Sequence, residues 1–302
     1  MEVLMENVSK KFGRKTVLDG VSLRMEGKGC FGYLGPNGAG KTTSMKVLTS
    51  LIRPDSGSAS INGVSVTKDP PRALKFVGSI VEDPEPYSSM NIREFITFAA
   101  RIRGITDPHL RDLASLLDLP PLDSRCNKLS KGQKRRVMLG AVMAQDPEVL
   151  ILDEPTAGLD PKESLIFRSV ILGMKKERLV FLSSHLLYEV TQTCDRVTFI
   201  DKGRIIESGS VEELGRRFSS KSIRVEFVRP VDESQIMGLQ QRGLAKGYSK
   251  ESERTYILDF DGTEEGRERL VEEVVKLHIR TLQDAGLGLE QAYTELLGDS
   301  RQ

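Results

Sequence analysis

The stretch Gly35-Pro36-Asn37-Gly38-Ala39-Gly40-Lys41-Thr42 constrains this chain more than any other. An apolar run, Cys30 to Leu34, leads into it, and Thr43 to Leu48 continues with helical spacing. A glycine-rich turn between a buried strand and a helix, closed by Lys and Thr, matches GxxxxGK[ST]. At average residue usage such a match arises by chance in roughly one chain of this length in a hundred, and the strand–helix setting makes chance rarer. Glycines without Cβ let successive N–H groups turn inward and form an anion-binding concavity. A helix beginning near Gly40 adds the positive end of its dipole. Lys41 offers a compact cation to the β- and γ-phosphates of a nucleoside triphosphate, and the Thr42 hydroxyl can coordinate Mg²⁺. Gly35 to Thr43 are therefore the expected phosphate-binding residues.

Phosphate binding alone does not imply hydrolysis; a second pair of residues does. The apolar run Val149–Leu152 ends in Asp153 and Glu154, at the carboxyl end of a strand, where α/β folds place ligands. Asp153 suits a Mg²⁺-holding acid, and Glu154 suits a general base for the attacking water. Other near-continuous apolar runs, Leu74–Glu82 and Arg178–His185, read as further strands covered on both faces. Residues 3–12 and 15–25 read as strands around a turn at Gly13-Arg14, and residues 197–209 as a hairpin turning at Lys202-Gly203. The first two thirds thus alternate strands and helices in an α/β layering.

At 302 residues the chain has length for roughly two domains. A polar stretch, residues 216–221, reads as a linker, giving domains 1–217 and 218–302. In the second, SIRVEFV, TYILDF and HIRTLQD read as strands, and SQIMGLQQRGL, GTEEGRERLVEEVVKL and LEQAYTELLG as helices, a small α+β domain. From Lys221 onward 12 Lys/Arg face 16 Asp/Glu, a net charge of −4, and the whole chain stands at +1. That balance speaks against nucleic acid as a partner. No apolar run reaches the roughly 18 residues that cross a bilayer, and the first residues lack the apolar stretch of a signal peptide. Cys30, Cys126 and Cys194 stand far apart in sequence with no CxxC pair, which fits a reducing, cytoplasmic compartment.

Several further motifs follow in a fixed order, and together the chain resembles the ATP-binding-cassette (ABC) ATPases over residues 1–217. Leu129-Ser130-Lys131-Gly132-Gln133 resembles the family's signature sequence, with Lys131 where many members carry glycine. Ala157-Gly158-Leu159-Asp160 resembles the loop that follows the two acids, and His185 matches the switch histidine. Phe12 stands where the family carries an aromatic that stacks on adenine; a strand-end Phe is also an ordinary core residue. The resemblance implies a P-loop NTPase cassette with a RecA-like core, an antiparallel β subdomain and a helical subdomain. It implies ATP and Mg²⁺ as ligands, with Glu154 and His185 catalytic and Thr42, Asp153 and Glu82 around the metal. It also implies a head-to-tail pair, identical or related, in which Ser130, Gly132, Gln133 and Asp160 of one cassette complete the ATP site of the other.

One departure concerns Glu82, which occupies the position where the family usually has glutamine. A carboxylate can still ligate Mg²⁺, a hard cation that favours oxygen, and some exporter branches carry this substitution. The helical stretch that follows resembles the subdomain whose groove receives a coupling helix from a membrane permease. Tyr87, Ile92, Phe95 and Ile96 could line it, although the same spacing describes an amphipathic core. The ending LGLEQAYTELLG is similar to endings in ATPase subunits of drug, antibiotic and polysaccharide exporters. The resemblance therefore implies a subunit on the cytoplasmic face of the membrane, held there by its permease. The alternatives are a soluble cassette without transport and a regulatory cassette that binds ATP without hydrolysing it.

Overall fold

The computed structural model describes residues 1–217 and 221–285. It divides into two compact units, Met1–Val211 and the part from Glu212 onward. The expected carboxyl-terminal helix at LEQAYTELLG lies outside the described residues.

The first unit is built on two sheets. Alternation of buried and exposed positions makes an antiparallel ribbon of β1 (Glu2–Phe12) and β2 (Lys15–Glu26), turning at Gly13-Arg14. Two strands extend it, β4 (Ser56–Ile61) and β5 (Val64–Ser65), in the order β2-β1-β4-β5. The sequence reading missed β4 because SGSASI is nearly all small and polar; only Ala59 and Ile61 are buried.

The second sheet has the order β10-β9-β3-β8-β7-β6. Its members are β3 (Gly29–Leu34), β6 (Val77–Ile80), β7 (Val149–Leu152), β8 (Leu179–Ser184), β9 (Arg196–Asp201) and β10 (Arg204–Ser210). Strands β9, β3, β8, β7 and β6 run parallel, and β10 returns antiparallel on the edge through Lys202-Gly203. All residues of β7 and β8 are buried, as expected for strands covered on both faces. The strand expected over Leu74–Glu82 is shorter: Leu74–Phe76 forms a 3₁₀ turn that ends the short helix α2 (Pro70–Ala73). Helix α1 (Lys41–Leu48) buries Met45, Val47 and Leu48 in the core shared by both sheets.

Helices α3 (Ile92–Ile102), α4 (Leu110–Leu116) and α5 (Lys131–Met143) form a helical subdomain. Asn91 and Ser130 open α3 and α5 with reciprocal capping boxes to Glu94 and Gln133. Ile92, Phe95 and Ile96 face inward with Leu113, Val137 and Ala141. They are therefore core residues and not the lining of a groove, whereas Tyr87 is 56% exposed. Helices α6 (Pro161–Met174) and α7 (Leu187–Thr193) complete the unit.

Register sets the consequence for function. Leu34 pairs with Ser184, Leu152 with Leu182, and Ile80 with Leu152. The carboxyl ends of β3, β8, β7 and β6 are thus brought to one edge, and the chain leaves them as the glycine-rich loop, His185, Asp153-Glu154 and Val81-Glu82. At the opposite, amino-terminal ends of the strands the sequence-distant Cys30 and Cys194 meet, buried, with sulfurs 3.5 Å apart, and burial pushes the Cys30 thiol pKa up.

The second unit begins with α8 (Val211–Arg217), which spans the division. It continues as β11 (Ser222–Phe227), α9 (Glu233–Gln241), β12 (Gly247–Lys250), β13 (Thr255–Asp259), α10 (Glu264–Val275) and β14 (Ile279–Asp284). The sheet order is β12-β13-β11-β14, fully antiparallel. This is the ferredoxin-like split βαβ arrangement, with Ile223, Val225 and Phe227 of β11 packing on Ile236, Leu239 and Leu270. Strand β12 was not legible in GYSK, which has no buried residue.

Phe181, at the centre of β8, is 1% exposed with its ring 5.3 Å from that of Tyr33 on β3. Phe181→Ala should cost about 3–5 kcal/mol, measured as a lower urea midpoint at unchanged slope.

Candidate functional site

The glycine-rich loop is shaped by a backbone that only glycine adopts easily. Gly40, the N-cap of α1, has φ 113°, and a Cβ there would stand 2.7 Å from the Leu18 side chain. Inside the loop the Lys41 ammonium is 5% exposed and donates to the carbonyls of Gly35 (2.7 Å) and Pro36 (3.1 Å). Its other neighbour is Glu154 Oε1 at 3.5 Å. Burial pulls the Lys41 pKa below its ordinary value, and the charge of Glu154 opposes that shift. A cavity of about 190 Å³ opens over these groups, lined by Asn37, Gly38, Gly40, Lys41, Thr42, Thr43 and Glu154. Lys15 and Val17 of β2 also line it, and the motif gave no sign of either because they come from the other sheet.

The two acids are held by a residue the sequence reading missed. Ser183, fully buried in β8, donates to Asp153 Oδ1 at 2.6 Å and accepts from the backbone N–H of Glu154 at 2.9 Å. Asp153 is 5% exposed, and Glu154 adopts a left-handed φ of 43°, unusual without glycine. That turn aims Glu154 Oε2 at His185 Nδ1, 3.1 Å away. Glu189 on α7 braces the same region, accepting from Ser184 Oγ at 2.8 Å and from the Thr156 hydroxyl. The one available signal was the hydroxyl pair Ser183-Ser184 in an otherwise apolar strand, where buried hydroxyls need partners.

The donor set fits a Mg-nucleotide. A buried ammonium bonded to carbonyls faces a glycine-rich helix start, and a buried carboxylate stands beside it. Glu154 joins both groups, touching Lys41 on one side and His185 on the other. Phe12, at the end of β1, is 51% exposed with Lys10 Nζ 5.7 Å from its ring centroid. It is a surface aromatic and not a core residue.

Ser130, Gly132, Gln133 and Asp160 do not line this cavity. Ser130 is exposed at the start of α5, where its hydroxyl accepts from the Gln133 N–H and its own N–H donates to Gln133 Oε1. Asp160 caps α6 by accepting from the Glu163 N–H at 2.8 Å. The Glu163 carboxylate lies so close to Gly132 that a Cβ there would stand 1.9 Å from Oε1. Glu82, expected near the metal, is drawn instead to Lys46 of α1.

Gly40→Ala should raise the Kd for ATP by at least about tenfold, read by titration with a fluorescent analogue. Ser183→Ala removes the brace on both acids and should lower turnover about tenfold while ATP affinity changes less than about twofold.

Comparison with known proteins agrees with this geometry. The model for "ABC transporter" matches residues 18–157. The linearmycin resistance ATP-binding protein LnrL of Bacillus subtilis (strain 168) is 30% identical over 241 residues, 78% of each chain. The bacitracin transport ATP-binding protein BcrA of Bacillus licheniformis is 36% identical over 217 residues, 70% of each chain. Among solved structures, a dimeric ATP-binding cassette in a post-hydrolysis state, bound to ADP and Pi, superposes with a TM-score of 0.63 at 20% identity. It covers 69% of this chain and 98% of its own. With the glycine-rich loop, Asp153, Glu154 and His185 gathered at one sheet edge, and relatives matched over most of their length, this chain belongs to the ATP-binding ATPases of the ABC transporter family.

Proposed function

We propose that the chain is the ATP-hydrolysing subunit of an exporter, closing head-to-tail on a second cassette and driving a separate membrane permease. The observation that carries the hydrolytic part is Glu154, held between Lys41 and His185 at 3.5 and 3.1 Å over the phosphate cavity. The loop N–H groups and Lys41 bind the triphosphate. Lys41 exchanges its carbonyl and carboxylate partners for phosphate oxygens, which leaves Glu154 free to accept a proton from water. His185 orients that carboxylate through Nδ1. Water attacks the γ-phosphorus, the bond to the β-phosphate oxygen breaks, and ADP and phosphate leave. Thr42 and Asp153 would hold Mg²⁺, which when bound neutralises charge on the β- and γ-phosphate oxygens.

Pairing is supported by the exposure of Ser130 at a helix N-terminus outside the cavity of its own chain. Its hydroxyl hydrogen, at the positive end of α5, can then serve the γ-phosphate of a partner. A homodimer is the simplest assembly, and the post-hydrolysis neighbour is itself dimeric. The names of LnrL and BcrA speak of resistance and of transport, and with Glu82 in place of glutamine they support export as the direction. None of the described helices is long and apolar enough to cross a membrane. The exposed Tyr87 packs edge-on against Phe98 (5.9 Å) and Phe95 (5.8 Å), an aromatic step suited to a permease helix.

Glu154→Gln keeps the hydrogen-bonding shape and loses the base. It should bind ATP, lose turnover by at least about a hundredfold, and elute as a dimer on sizing with ATP and Mg²⁺. Full turnover by this variant would remove Glu154 as the base.

A further inference from the structure

Between β6 and α3 lie three acids in four residues, Glu82, Asp83 and Glu85. Each meets a base from elsewhere in the first unit. Glu82, in a left-handed turn with φ 66°, pairs with Lys46 of α1. Asp83 pairs with Lys131 at 3.0 Å and approaches Arg135 at 3.9 Å; Glu85 pairs with Lys134 at 2.8 Å. Lys131, Lys134 and Arg135 all belong to the first turns of α5, the helix that Ser130 caps. Arg135 in turn donates to the carbonyl of Ala157, in the loop after Glu154. Lys46 stands one turn beyond Thr42 on the helix that begins in the phosphate loop. A single acidic strap therefore joins the helix that binds phosphate to the helix that presents Ser130.

We propose that Lys46 is a positioning residue for ATP hydrolysis, acting through Glu82 to fix this strap and with it the Ser130 end of α5. Glu82 then serves as the anchor of the strap and not as a metal ligand. Exposed pairs of this kind contribute little to stability singly. Their effect is geometric: they set where Ser130 points relative to α1, and an error of about an ångström at a contact made only in the closed state lowers turnover without touching ATP affinity. The inference rests on the head-to-tail reading, since Ser130 must meet a partner's phosphate for its position to matter.

The test compares K46E, E82K and the exchanged pair K46E/E82K, each also in an E154Q background, with K28Q as control. Among the described residues Lys28 pairs with the exposed Glu177 on the surface. Single reversals should lower turnover about tenfold and raise the ATP concentration needed for dimerisation, with the Kd for a fluorescent ATP analogue within about threefold. Exchange of the two charges should restore both readouts to within about threefold of the starting chain. Where a reversal lowers the melting temperature, the neutral K46Q and E82Q are read in its place. K46E turning over at the original rate, or an exchanged pair no better than the singles, overturns the proposal. So does an E82K chain whose loss is repaired by raising Mg²⁺ alone, which would make Glu82 a metal ligand. E154Q failing to dimerise with ATP at all would sink the head-to-tail reading instead.

Discussion

Everything at this site turns on a lysine that has almost no water. An ammonium taken from solvent must be repaid in hydrogen bonds and charge. Lys41 finds two carbonyls in its own loop and a carboxylate at the end of the next-but-one strand. That requirement fixes the loop around the side chain, and it fixes Glu154 near the loop. The acid proposed to act on water is therefore positioned by the cation proposed to hold phosphate. The parallel register of β3, β8 and β7 makes this possible, because it ends three strands within reach of one another.

Around that contact the protein uses buried hydroxyls as braces. Ser183 serves Asp153 and the backbone of Glu154, and Ser184 serves Glu189, all on a strand that is otherwise apolar. A buried hydroxyl without partners would be costly, so each of these serines is committed to one geometry. The strained φ of Glu154 is held by the same network, an instance of backbone strain kept where chemistry is done.

The sequence carried the phosphate loop, the acids, Ser130 and His185 because each is a local pattern tied to one strand end or helix start. It carried the six-stranded sheet because β3, β7, β8 and β9 are long apolar runs. What it could not carry were contacts made across elements. Lys15 and Val17 reach the cavity from another sheet, and Lys46 finds Glu82 thirty-six positions along the chain. Short polar strands were also silent: β12 buries no residue and β4 buries only Ala59 and Ile61, so both lean on pairing with their neighbours. In the sequence the set Ile92, Phe95 and Ile96 stays open between core and groove for a related reason. Spacing gave the face of α3 but not its neighbours, and Val137 and Ala141 of α5 claim Ile92 and Ile96 for the core.

The two halves of the proposed ATP-binding machinery are secured by different physics. The phosphate-binding half rests on buried, short-range contacts that salt screens weakly: Lys41 to its carbonyls, Ser183 to Asp153. The Ser130 half rests on partly exposed ion pairs along residues 82–85, which water and salt weaken readily. Local openings of low cost concentrate where bonds are exposed, so the second half is the adjustable one. In the proposed cycle, where the cassette closes on a partner and then releases it, that asymmetry is useful: the proposed site of bond breaking stays rigid while the surface proposed to meet the partner can turn.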